Sequence, residues 1–141
     1  RLAKPITFDD YVQPICLPTN NDDQFTDRRA AVMGWGATRE GGSASSTLQT
    51  LDVRVTSKTR CAMTLGIVLN IRQSHVCAAG RFSGGEDPCQ GDSGGPLAFV
   101  EEPATIIGIV SAGIGCARPF FPGLYTRVSF YNAWIMDEIH K

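Results

Sequence analysis

The run "DPCQGDSGGP", residues 87–96, sets a serine among glycines with an aspartate immediately before it. Ser93 is the residue with chemistry to offer, because a serine hydroxyl becomes a nucleophile once a neighbouring base takes its proton. The chain holds only two histidines: His75 precedes Cys77 in what looks like a loop, His140 sits at the terminus, and neither lies in the surroundings that a catalytic relay needs. Residues 91–95 spell G-x-S-x-G, which fits two arrangements. In a strand-to-helix elbow, an acid and then a histidine follow downstream. Here Gly-Gly-Pro follows the serine and opposes an immediate helix. The downstream pair, Asp137 or Glu138 with His140, lies on one turn of the final helix, too local to meet a distant serine. In the other arrangement a glycine-rich turn aims the backbone N–H groups of Gly91 and Ser93 into a cavity, where they hold a developing oxyanion. Losing one such donor costs about 3 kcal/mol of transition-state stabilisation. Taken alone, "GDSGG" reads more simply as a surface turn, and the surrounding residues reverse that reading.

The elements that must position Ser93 are short and mostly β. Glycine and proline punctuate the chain, with 15 and 8 residues. Between them lie "AAVMGWG", "TLQTLDVRV", "PLAFV", "TIIGIVSAG" and "GLYTRV"; "LDVRV" alternates apolar and polar residues as a half-buried strand does. Such spacing predicts an all-β sandwich or barrel. "REGGSASS", residues 39–46, reads as a polar surface loop. Only the end reads as helix, with Ser129 as N-cap and Tyr131, Trp134, Ile135 and Ile139 on one apolar face.

Composition excludes several classes of function. With 141 residues, 43% hydrophobic and 19% charged, the chain is long enough for one domain with a core. A net charge of -1 leaves no basic stripe, against a nucleic-acid partner. No apolar run approaches the roughly 20 residues needed to cross a bilayer, and "LGIVL" and "TIIGIV" are strand-length. The opening "RLAKP" lacks a methionine or signal peptide and reads as a piece of something longer. Five cysteines, Cys16, Cys61, Cys77, Cys89 and Cys116, form no C-x-x-C pair, so neither a metal nor a cofactor is expected. They read as disulfides of an oxidising compartment, with one left over for a bond to another chain.

In order, "GWG" at Trp35, "HVCAAG", "DPCQGDSGGP", "GIVSAGIGCA" and "PGLYTRVSFYNAWI" resemble the trypsin-like serine proteases across essentially the whole chain. The resemblance covers the C-terminal part of such a protein, somewhat more than half. It implies an antiparallel β-barrel, the second of a two-barrel fold, with a C-terminal α-helix. Residues 1–20 would be the inter-barrel crossover, 21–128 the barrel and 129–141 the helix. The N-terminal barrel, with the family's histidine and aspartate, would be missing from this chain.

The resemblance also assigns roles. Ser93 becomes the nucleophile and the N–H groups of Gly91 and Ser93 the oxyanion hole. Asp87 would sit at the bottom of the primary pocket, with Gly113 and Gly123 in its walls, implying cleavage after Arg or Lys. Ser111 would adjoin the catalytic aspartate and the substrate backbone. Asp92 would pair with the new N-terminal ammonium on zymogen cleavage. Cys61 would pair with Cys77 and Cys89 with Cys116, and a further family bridge would need cysteine at Ala30 and Phe99, both absent together. Cys16 would tether a light chain or propeptide.

Three residues depart from the pattern. Pro88 follows the pocket acid, Ala112 replaces an aromatic shelf, and Pro122 stands where sodium-regulated relatives have tyrosine. The two phenylalanines of "CARPFFPG" would lie beside the pocket, as contacts or as packing. The implied protein is a secreted endopeptidase acting on protein substrates and met by protease inhibitors. Two rivals remain: a catalytically silent homologue used for binding, and an inactive fragment that is poorly soluble alone.

Overall fold

The computed structural model describes residues 2–19, 25–39, 41–80, 91–112 and 121–141. Six antiparallel strands close into a barrel: β1 (Arg29–Gly34), β2 (Gln49–Thr56), β3 (His75–Ala79), β4 (Pro96–Phe99), β5 (Thr105–Ala112) and β6 (Gly123–Arg127). Their order around the barrel is β1-β2-β3-β6-β5-β4, and β4 returns to β1 through Ala31–Ala98 and Val32–Leu97. Of the two β architectures that the strand spacing allows, the chain adopts the barrel. Closure removes the exposed strand edges that an open sheet would present.

The core follows from alternation. In β2 the side chains of Val53 and Val55 are buried while Asp52 and Arg54 face out. These valines meet Ala30, Val32, Ala78, Leu97, Ile107 and Tyr125 inside the barrel. Fully burying a residue such as Leu97 contributes about 1.5–3 kcal/mol. Phe99 completes the core, with its ring edge-on to Phe25 at 5.2 Å between centroids and the Arg28 guanidinium 3.9 Å above it.

The sequence reading is corrected at three places. A second helix, α1 (Lys58–Leu65), precedes β3. Ser57 caps it by accepting the Arg60 N–H, and its residues Cys61 and Leu65, one turn apart, are buried. His75, read as lying in a loop, begins β3 and pairs with Thr126. At the C-terminus, Ser129 is not the helix cap. It lies in a 3-10 turn, Val128–Tyr131, and α2 runs from Asn132 to Ile139. The Ser129 hydroxyl accepts from Arg127 Nε at 3.2 Å, so it is engaged with the end of β6.

Cys61 and Cys77 form a disulfide that pins α1 to β3, with 16 residues of sequence separation. Closing a loop of that size stabilises a fold by about 3 kcal/mol on a chain-entropy account. The partner bridge expected of Cys89 and Cys116 lies outside the described residues. The opening segment is anchored twice. Cys16 N–H donates to Ala104 and the Cys16 carbonyl accepts from Ile106, both at 3.0 Å, and Asn132 Nδ2 donates to the Pro18 carbonyl at 2.6 Å. Among the described residues no helix is long and apolar enough to cross a membrane.

Candidate active site

Ser93 occupies the tip of a tight turn at one end of the barrel. The Gly95 N–H donates to the Asp92 carbonyl at 2.9 Å, closing a four-residue turn with Ser93 and Gly94 in the middle. Gly94 has φ +84° while Ser93 has no positive φ, the signature of a type II turn. That conformation requires glycine at the third position, and Gly94 meets it. The turn is pinned to β5 by two bonds of 2.9 Å, Gly94 N–H to the Val110 carbonyl and Val110 N–H to the Gly95 carbonyl. Ser93 itself is exposed.

Asp92 points the opposite way, into the barrel wall. Its Oδ1 accepts the Gly36 N–H at 2.8 Å. Gly34 and Gly36, either side of Trp35, make room for it. A Cβ on Gly34 would stand 2.1 Å from Asp92 Oδ1, and one on Gly36 2.4 Å from Asp92 Cγ. The "GWG" motif is therefore a seat for the Asp92 carboxylate.

Gly91, with φ +101°, completes the loop. No hydrogen bond among the described residues engages the N–H of Gly91 or Ser93, or the Ser93 hydroxyl. The backbone N–H groups of Gly91 and Ser93 and the Ser93 hydroxyl are thus unengaged within the described part of the chain.

Ser111 and Gly123 reach the same end of the barrel. In the β5–β6 ladder Val110 faces Tyr125 and Ala112 faces Leu124, so Ser111 has no residue opposite it. This irregularity, beside the strand segment that holds the Ser93 turn, re-aims a side chain as a bulge does. The sequence carried no signal of it, because pairing register is a property of two strands. Gly123 opens β6, where a Cβ would stand 3.1 Å from the Tyr125 hydroxyl. Ala112 is exposed and Pro122 buried. Asp87, Pro88, Cys89, Gly113 and Cys116 lie outside the described residues.

The two histidines are placed elsewhere. His75 stands at the start of β3, where it pairs with Thr126 near the end of β6. Its Nδ1 accepts the Arg72 N–H at 3.0 Å. His140 follows α2 and donates from Nδ1 to the Met136 carbonyl at 2.6 Å. Cys16 is exposed and makes no disulfide in this chain.

The family profile described as Trypsin matches residues 1–135. This chain belongs to the trypsin family. It is 43% identical over 136 residues to Trypsin-1 of Astacus astacus, covering 96% of this chain and 56% of that protein. It is 37% identical over 148 residues to the clotting factor G beta subunit of Tachypleus tridentatus, covering 96% of this chain and 47% of the relative. With the serine proteinase stubble of Drosophila melanogaster it shares 40% identity over 144 residues, 99% of this chain and 18% of that protein. The chain therefore spans about half of the first two trypsin-family relatives and a smaller part of the third. It is a portion of a trypsin-like serine protease domain with the closed barrel and terminal helix expected of its C-terminal part.

Proposed function

We propose that this chain supplies the nucleophile, oxyanion hole and primary specificity pocket of a secreted endopeptidase that cleaves after Arg or Lys. The observation that carries the reading is the exposed Ser93 at the tip of a hydrogen-bonded type II turn, with Asp92 seated behind it on Gly36. Ser93 Oγ attacks the scissile carbonyl, and the N–H groups of Gly91 and Ser93 hold the oxygen of the tetrahedral intermediate. The proton passes to a histidine oriented by an aspartate and then to the leaving amine. Water releases the acyl group by the reverse sequence.

The histidine and aspartate belong to an N-terminal barrel outside this chain. Residues 1–20 serve as the crossover to it, 21–128 as the barrel and 129–141 as the helical end. The uncovered apolar surface supports this. Ile6, Phe8 and Tyr11 of the opening segment are 53%, 59% and 95% exposed, and α2 buries none of its residues. Apolar patches of this kind mark an interface.

Asp87 receives the cationic side chain between Gly113 and Gly123, through a charge-assisted pair. Ser111, re-aimed by the strand irregularity, faces the catalytic aspartate. Asp92 is the zymogen switch, shifting its partner when a new N-terminal ammonium arrives. The exposed thiol of Cys16 joins a light chain or propeptide, and Cys89 pairs with Cys116. Protein protease inhibitors occupy the same cleft.

The test is labelling of the full-length protein with a fluorophosphonate, reading the adduct at Ser93 by mass. Stoichiometric labelling, abolished in Ser93→Ala, supports the enzyme. Folded, activated material that never labels assigns the protein to the silent homologues.

A further inference from the structure

At the end of the barrel opposite Ser93 the strands part around an open cavity of about 90 Å³. Its walls come from the far ends of the strands that position the active site: Val55 in β2, Val76 in β3 and Ile107 in β5 form apolar surface. The charged residues lining it are Lys58 and Arg127, with the imidazole of His75 beside them and no carboxylate among the described lining residues. The Arg127 guanidinium is already held, donating to the Ser129 hydroxyl and the Gln73 carbonyl. Lys58 forms no ion pair among the described residues. His75 accepts the Arg72 N–H at Nδ1, which fixes its neutral ring as the Nε2–H tautomer and leaves Nε2 as a donor.

We propose that this cavity binds a small aliphatic carboxylate, with its hydrocarbon body between Val55, Val76 and Ile107 and its charge met by Lys58 and His75. The site does not depend on the chemistry of Ser93. Size and charge both select this class. At about 90 Å³ the open cavity is smaller than the roughly 150 Å³ that encloses benzene, so it takes the branched end of a short alkyl body and leaves the charged end at the mouth. A mouth whose described lining carries Lys58 and Arg127 and no acid favours an anion over a neutral alcohol, through charge-assisted hydrogen bonds. An apolar wall with a few polar groups in the lining is the composition of small-ligand pockets. The carboxylate can belong to a free acid or to a peptide ending in leucine or valine, which share this chemistry.

The test is calorimetric titration of the full-length protein with 4-methylpentanoate, repeated after fluorophosphonate blocking of Ser93. Saturable binding is expected with and without the block. The alcohol 4-methylpentan-1-ol is expected to bind at least tenfold more weakly, and Lys58→Met and His75→Ala each to lose at least fivefold with circular dichroism unchanged. No saturable binding, equal affinity for acid and alcohol, or full affinity in both variants overturns the proposal. Gly-Leu and its amide separate the sources. Tighter binding of Gly-Leu than of 4-methylpentanoate assigns the site to a chain terminus, and the reverse order to a free acid.

Discussion

Asp92 and Gly36 stand 56 residues apart in sequence, yet the carboxylate of one accepts the backbone N–H of the other at 2.8 Å. This bond joins the loop after β1 to the loop before β4, and the residue after Asp92 is Ser93, the proposed nucleophile. Whatever moves Asp92 moves Ser93. In Gly36→Ala the new methyl would stand 2.4 Å from Asp92 Cγ and 2.5 Å from both carboxylate oxygens. The carboxylate must leave its seat and carry the turn with it. The barrel core, which does not include these residues, is expected to survive. A fall of about 100-fold or more in fluorophosphonate labelling rate is expected, the scale on which a lost oxyanion donor acts. Unchanged far-ultraviolet dichroism would accompany it. A labelling rate within threefold of the parent contradicts the coupling.

Gly94→Ala separates backbone conformation from steric fit. No atom lies within 4 Å of a Cβ at this position, so the substitution meets open space. Its only penalty is the φ of +84°, which costs an L-residue about 1–2 kcal/mol. The turn is expected to relax away from type II and lose its bonds to Val110. Labelling should slow by at least tenfold, while the melting temperature falls by only a few degrees. A variant that labels at the parental rate shows that the nucleophile tolerates another turn type.

The legibility of this chain was uneven for physical reasons. β2 announces itself because Val53 and Val55 face the core while Asp52 and Arg54 face water, and period two survives in the sequence. The Ser93 turn was equally readable, since Gly94 can take the positive φ that the third position of such a turn needs. α1 escaped notice because its buried pair is only Cys61 and Leu65, and the rest of "KTRCAMTL" is polar or exposed. Its one local signal was Ser57 in the cap position. Ser129 misled for the opposite reason. It is a good capping residue, but Arg127 Nε claims its hydroxyl, and the chain makes a 3-10 turn before α2 begins. The irregularity at Ser111 is set by cross-strand register, which one strand's sequence does not encode.

Ala30 and Phe99, where the family resemblance places a missing bridge, are both buried in the barrel core, one residue beyond the Ala31–Ala98 pair of β1 and β4. Phe99 fills the site with its edge contact to Phe25 and its face under Arg28. Phe99→Ala is expected to destabilise the protein by about 3–5 kcal/mol, the range for emptying a buried aromatic site. In the double variant Ala30→Cys with Phe99→Cys, a disulfide should form and recover part of that loss under oxidising conditions alone. Denaturant unfolding with and without reductant measures both. If reductant leaves the double variant's midpoint unchanged, the two positions are not in bridging register.

Asp87→Ser tests the pocket assignment. Removing one partner of a desolvated charge pair costs about 2–5 kcal/mol. The specificity constant for Arg and Lys substrates should therefore fall by roughly 30-fold to several thousand-fold. Labelling by a small fluorophosphonate, which needs no cationic side chain, should change little. Equal losses in both assays would place Asp87 in the support of the Ser93 loop instead of the specificity pocket.

The uncovered face of α2 makes opposite demands on the chain alone and on the full-length protein. Trp134 and Ile139 are 62% and 66% exposed, with Phe130 beside them at 52%. In water such a face drives association, and in the proposed two-barrel protein it is an interface. Trp134→Glu should therefore raise the concentration at which the isolated chain stays monomeric, measured by sedimentation velocity. In the full-length protein the same change buries an unpaired carboxylate, and breaking an interface in that way is strongly destabilising. The full-length variant should melt several degrees lower and label more slowly at Ser93, because the barrel that carries the base would no longer be held in place. A full-length variant as stable as its parent means that α2 faces solvent there too, and that the first barrel docks on another surface of this chain.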